Sequence, residues 1–302
     1  MKTISVKEEF ERNLELRRED LEYLKEWIKQ EKYLPQIPEV WLIFFLHGCG
    51  YSLEMSKSAI KNYYIYRTQH NYFFRNRSPK LDPNLADAID STLISVLPKR
   101  TEGNHMVILV RLMNNDVDLW HFEAFLKLYF ILFDLFLVQG GTSEGLVVIH
   151  DCEPFTLPML GKLSMTTLRK VVFYFEDAIP IKLHQVHFIN SSAVIDTFFR
   201  LLKQYINPRV LDSIHFHKTG SESLFSHVAK EIIPERFGGT EVTSAYYTQE
   251  NNSKRLIQLC EPWLKEDENV RCNLSLCPEA SKREESDSIF GVSGSFKKLS
   301  ID

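Results

Sequence analysis

The spacing of apolar residues changes near residue 79. Over residues 4–32, Leu14, Leu21, Leu24 and Ile28 recur at helical intervals among charged neighbours, which predicts a surface helix lying on a core. Pro35 and Pro38 interrupt it, Trp41–Leu46 restarts an apolar helical turn, and Gly48-Cys49-Gly50 stops it. Glu54 to about His70 is helical again, with Ala59, Ile60, Tyr63, Tyr64 and Arg67 near its centre. Residues 1–78 therefore predict an all-helical N-terminal domain, with Pro79 and Pro83 at its border.

Beyond that border, short β-branched runs alternate with helical ones. Met106–Met113, Leu146–His150, Leu183–Ile189 and Ser213–His217 are strand candidates. Leu119–Gln139, Leu157–Glu176, Ala193–Ile206 and Glu222–Lys230 are helix candidates. Alternation of this kind predicts an α/β domain with a mainly parallel sheet over residues 79–245. Residues 246–302 read as a C-terminal extension, charged and serine-rich and expected to be flexible from about Ser281.

Leu119–Val138 is long enough to cross a bilayer. Glu123, Lys127 and Asp134 argue against a span, because charges are costly in lipid. Steps of four and seven put all three on one helical face. The spacing predicts a mostly buried helix with a narrow solvated stripe.

Composition narrows the class. A content of 44% hydrophobic and 25% charged residues is that of a soluble globular protein. The 21 Phe suit either a large core or an apolar cavity. A net charge of −4 gives no whole-molecule attraction to nucleic acid or anionic membrane, so any anion site must be local. Cys49, Cys152, Cys260, Cys272 and Cys277 form an odd, scattered set, which predicts free thiols in a reducing compartment. The first residues lack the apolar run of a signal peptide, so a cytoplasmic protein is expected.

The candidate chemistry is sparse. Gly141-Thr142-Ser143-Glu144-Gly145 fits the letters of a nucleophile elbow, but that motif needs a strand before it and a helix after it. Here the order is inverted, and Gly140-Gly141 reads as a helix terminator. His184, His187, His215 and His217 invite a metal reading, yet no cysteine pair or carboxylate cluster completes a ligand set. No phosphate-binding glycine loop is present, and no cofactor or metal is expected. The chain is expected not to be an enzyme.

The segment after Asn190 is more informative. Val194, Phe198, Leu201, Leu202 and Tyr205 share one helical face, widened by Ile195, Phe199 and Ile206. Asp196, Arg200, Lys203, Gln204 and Asn207 form the other. A helix packed on a sheet explains this division; so does a cover over a cavity.

Several short motifs follow in order: Lys61-Asn-Tyr-Tyr64, Val-Ile-His-Asp-Cys-Glu from Val148, Asp177-Ala-Ile-Pro180, His187-Phe-Ile-Asn190, Ile214-His215-Phe216-His217 and Pro234-Glu-Arg-Phe-Gly-Gly239. Together they resemble the CRAL-TRIO lipid-binding family, of the α-tocopherol transfer protein, retinaldehyde-binding protein and clavesin type. The likeness covers about residues 10–240, and Gly294–Asp302 is similar to a closing segment of some members.

The resemblance implies binding and intermembrane transfer of one small hydrophobic, tocopherol-, retinoid- or other lipid-like ligand in a closed apolar cavity. The implied wall residues are Phe125, Leu128, Leu132, Leu146, Val148, His150, Val171, Tyr174, Phe175, Ile179, Ile181, Val186 and Phe188. The helix after Asn190 would be the lid, through Val194, Ile195, Phe198, Phe199, Leu201, Leu202 and Tyr205. The implied partners are a hydrophobic ligand and, transiently, a membrane surface, with no nucleic acid. Some relatives hold phosphoinositide headgroups near the lid. Here Lys182, His184 and Arg209 remain of that patch, while Phe45-Leu46-His47-Gly48-Cys49 and Ser213 lack its other cations. The alternative reading is a phosphoinositide-binding membrane-trafficking adaptor.

Overall fold

The computed structural model describes residues 2–242 and 252–278. The expected flexible tail from Ser281 and the closing segment Gly294–Asp302 lie outside the described residues.

The N-terminal part is helical: α1 (Val6–Arg12), α2 (Arg18–Gln30), α3 (Glu39–Gly48), α4 (Leu53–Gln69) and α5 (Asn71–Phe74). The single helix expected over residues 4–32 is two. Asn13 leaves helical geometry, and its amide donates to the Glu9 carboxylate and to Thr142 Oγ1. Leu14, expected on the core, is instead 95% exposed in the link. Glu9 is fully buried and accepts from Thr142 N and Thr142 Oγ1, which pins α1 against the segment 141–142. All six residues of Trp41–Leu46 are buried, as are Tyr63, Tyr64 and Tyr66 on α4.

Several elements escaped the sequence reading. Helix α6 (Pro83–Ser91) starts at Asp82, whose side chain accepts from Leu85 N, with proline in its first turn. Strand β1 (Thr92–Val96) follows at once. The remaining elements are β2 (Met106–Leu112), α7 (Phe122–Gly140), β3 (Leu146–Asp151), α8 (Leu157–Gly161), α9 (Met165–Asp177), β4 (Leu183–Ser191), α10 (Ala193–Leu202), α11 (Pro208–Leu211), β5 (Ile214–Lys218), α12 (Asn252–Leu259) and α13 (Glu261–Asp267). Among the described residues the sheet has five strands in sequence order. The β1–β2 pair is antiparallel and the other pairs are parallel.

Register places Val110, His150, Phe188 and Phe216 side by side across the sheet. The row Leu109, Ile149, His187 and His215 points to the opposite face, as the two-residue period of strands requires. On that second face Val107, Leu109, Val147 and Ile149 pack with Leu224, Val228, Ile232 and Ile233. The helix expected over Glu222–Lys230 is therefore only a 3-10 turn, Glu222–Ser226, followed by tight turns. Repeated turns let Leu224, Val228, Ile232 and Ile233 all reach the sheet. The expected helix Leu157–Glu176 is also broken, between Gly161 and Ser164, whose hydroxyl caps Thr167 N.

The solvated stripe expected on α7 shrinks to the half-buried Glu123. Lys127 is 2% exposed and Asp134 1%. Lys127 Nζ lies 2.8 Å from the Asp82 carboxylate. Asp134 accepts from Arg67 at 2.8 Å and from Arg77 at 3.0 Å, and both arginines also reach Asp267 at 2.6 Å. Burial opposes the charged form of Asp267, but Arg67 and Arg77 outweigh it and hold its carboxyl down at about 2. Helices α12 and α13 deliver Asp267, so this ionic seam ties the N-terminal helices, α7 and the C-terminal segment together. Charge spacing alone predicts water; here the charges find each other.

Candidate functional site

The Ser143 hydroxyl is committed to backbone structure. It accepts from Met106 N and lies 2.9 Å from the carbonyls of both Asn104 and Gly145. Gly141 ends α7 with a φ of 74°, and a side chain there would meet Glu9 and Arg12. The histidines bond to one another: His187 Nδ1 is 3.0 Å from His217 Nε2, and His217 Nδ1 is 2.7 Å from Ser223 Oγ. Among the described residues no three metal-binding side chains converge.

A cavity of about 270 Å³ lies on the sheet face that carries Val148, His150, Val186 and Phe188. It approaches the lower end of the range usual for small-molecule sites, about 300–1,000 Å³. The floor is β2–β5. One wall is the first two turns of α7, through Phe122, Phe125, Leu126 and Tyr129; another is α9, through Leu168, Val171, Val172 and Phe175. Helix α10 lines a further side with Ile195, Phe198, Phe199 and Leu202. Aromatic contacts join cover to floor: Phe199 meets Phe216 edge-on at 4.8 Å, and Phe198 faces Phe155 at 6.5 Å.

Of the expected wall residues, Phe125, Val148, His150, Val171, Phe175, Val186 and Phe188 line this cavity. The other six lie elsewhere. Leu128 and Leu132 are fully buried deeper along α7, and Leu146 precedes the part of β3 that the cavity touches. Tyr174 faces the N-terminal helices: it stacks on Tyr66 at 4.6 Å, and its hydroxyl accepts from Arg67. Ile179 and Ile181 are buried in the turn that packs against α3, where Gly48 comes so close that a Cβ would stand 2.6 Å from the Pro180 carbonyl. Of the expected lid residues, Ile195, Phe198, Phe199 and Leu202 face the cavity. Val194, Leu201 and Tyr205 do not line it; Leu201 is 42% exposed, and the Tyr205 ring lies under Arg169.

Sequence reasoning missed Trp120, Phe122, Tyr129 and Phe155 on the α7 side, Leu183 and Ile214 at the starts of β4 and β5, and Val210 on α11. The strand period identifies Ile214, two residues before Phe216 on the same face. The loop residues Trp120 and Phe155 carry no periodic signal.

Few polar groups reach the cavity. Burial pushes the His150 imidazole down to about 4, so it is neutral at pH 7. Burial pushes the Cys152 thiol up to about 12. Burial also raises the Glu176 carboxyl, against the opposing hydrogen bond from Asn207 N. Lys182, His184 and Arg209 are exposed, on the α9–β4 connection, on β4 and on α11. His184 stacks on His105 at 3.8 Å. No hydrogen bond joins any of the three to another.

The model of the CRAL/TRIO domain matches residues 90–239, the stretch that builds this cavity. The chain belongs to the CRAL/TRIO family. Its N-terminal residues 13–84 match the Pinta-like UBA domain. The human "Alpha-tocopherol transfer protein-like" is 22% identical over 242 residues, 78% of this chain and 68% of that protein. Clavesin-1 of Xenopus laevis is 22% identical over 203 residues, 67% of this chain and 61% of its own length. A structure titled "Crystal structure of Sfh5" covers 82% of this chain and 96% of its own, at 12% identity and a TM-score of 0.46. CRAL/TRIO domains form a family of lipid-binding and lipid-transfer proteins. Among the described residues of this member, no helix is long and apolar enough to cross a membrane.

Proposed function

We propose that this CRAL/TRIO protein is a cytoplasmic carrier, not an enzyme: it encloses one small hydrophobic ligand and exchanges it at membrane surfaces. The apolar cavity beneath a two-faced helix carries this reading. A lipid tail exposed to water costs about 0.8 kcal/mol for each CH₂, so a carrier needs a dry container. Helix α10 is the proposed lid. It is ten residues long, Ile195 is its buried residue, and it runs on into a 3-10 turn. Few buried contacts make an element cheap to displace. Displacement would expose Phe198, Phe199 and Leu202 to the membrane while Asp196 and Arg200 stay in water.

The patch of Lys182, His184 and Arg209 supports contact with acidic headgroups weakly, since two fixed cations make a poor phosphate clamp. The carrier reading therefore stands ahead of the adaptor. In a test with donor and acceptor vesicles, the purified chain should move a fluorescent tocopherol or retinoid analogue without any partner protein. Vesicle binding without transfer would reject the carrier and favour the adaptor. Mass spectrometry of lipid extracted from the purified protein would name the ligand.

A further inference from the structure

Two polar groups stand on the apolar wall of the cavity with nothing to bond. His150 is at the centre of the floor, its ring stacked on Phe188 at 5.2 Å and 14°. Tyr129 rises from α7 between Phe125 and Phe175, at ring distances of 6.3 and 5.7 Å. Neither side chain has a hydrogen-bond partner among the described residues. Groups of this kind are normally satisfied when buried, because desolvating them without compensation is unfavourable. The rest of the wall cannot serve them. Cys152 Sγ turns to the His150 carbonyl, and the Glu176 carboxylate takes the Asn207 N–H.

The charge balance is equally restrictive. Arg111 lines the cavity with a buried Nε that has no partner, but its charge is matched at the terminal nitrogens by Asp151 and, at 2.9 Å, by Glu153. Among the described residues no lysine lines the cavity, and Glu176 contributes an acid. A carboxylate or phosphate entering this space meets no free cation, and an unpaired buried anion is far more costly than a neutral polar group.

We infer that His150 is the anchor for the ligand's head, and that this head is a single uncharged hydroxyl or carbonyl rather than a carboxylate or a phosphate. The inference rests on the carrier reading and narrows its ligand to neutral amphipathic lipids. The Tyr129 hydroxyl offers a second donor, on the α7 wall. A neutral imidazole suits the role: it has one donor and one acceptor nitrogen, so it bonds either an alcohol or a ketone. Its low affinity for a proton keeps it from turning into the missing cation near neutral pH.

The test uses three probes of one chain length, dodecanol, dodecanoate and dodecane, each displacing the uncharged dye Nile red from the full chain at pH 7.5. The wild type should bind dodecanol at least about tenfold more tightly than dodecanoate. His150→Phe should weaken dodecanol about tenfold and leave dodecane unchanged, which also shows that the variant is folded. His150→Gln should keep most of the alcohol affinity, because an amide also donates and accepts. Should His150→Phe not fold, the wild-type preference and the Gln variant decide. Equal binding of alcohol and acid overturns the inference, as does an equal loss of alcohol and alkane in His150→Phe. Failure of all three probes to bind the wild type overturns the carrier reading itself, and this inference with it.

Discussion

The two halves of α7 do opposite things. Toward its C-terminus, Asp134 is locked to Arg67 and Arg77, and Phe130 stacks on Phe74 at 5.3 Å. Toward its N-terminus, Phe122, Phe125 and Tyr129 face about 270 Å³ of open space. The first half is clamped by α4, the segment after α5 and α13, all charges paired. The second is met by α10, a short helix with one fully buried residue. Rigidity at one end allows emptiness at the other. A cavity persists in a protein only where the surrounding frame does not collapse into it.

The clamp is the place to break this contrast most severely. Asp134→Ala leaves the two buried cations Arg67 and Arg77 sharing the single carboxylate of Asp267, so unfolding free energy should fall by about 3–5 kcal/mol in urea titrations. A loss under 1 kcal/mol would mean that the seam is not closed to water. At the cover, Phe198→Asp puts a carboxylate against the cavity, and vesicle-to-vesicle transfer should drop at least about tenfold with the fold intact by circular dichroism.

Acid probes both faces of the sheet. His187 is pushed down to about 3, first by burial and then by His217 and its neighbours, and burial holds His150 near 4. Their ordinary value is 6.5. Both are neutral when folded and protonate more easily when unfolded. The stability they permit is therefore full above pH 6.5 and is lost as pH falls toward their folded values. Each should cost roughly 1–2 kcal/mol between pH 7.5 and 5. The urea midpoint should fall with acid, and fall less steeply in His187→Asn. Least affected should be Asp196→Ala, on the outward face of α10: stability within about 0.5 kcal/mol and transfer unchanged. An equal effect of Asp196→Ala and Phe198→Asp would mean that α10 is turned the other way.

Much of the architecture was legible. Strands β2–β5 and helices α3, α4 and α7 follow from periodicity, because each has one buried face or is buried throughout. Strand β1 was not, since five residues joined directly to a helix carry too short a period. The cover's inward face was read from Ile195, Phe198, Phe199 and Leu202, whose helical spacing needs no partner to be seen. Tyr174 and Ile179 were misjudged for the converse reason: both are apolar and buried, and pattern does not say whether burial is against a cavity or against another domain. Asp134 was misjudged because its partners Arg67 and Arg77 are 67 and 57 residues away along the chain.

By itself the sequence settled where β2–β5, α3, α4 and α7 lie, the family they compose, and which face of α10 is apolar, because those properties reside in residue order over a few turns. The tertiary structure alone decided where space remains inside, which charges on α7 are paired rather than wet, and that His150 faces the cavity unpartnered. Voids and hydrogen-bond partners depend on side chains from distant segments meeting in three dimensions, and no local period encodes such a meeting.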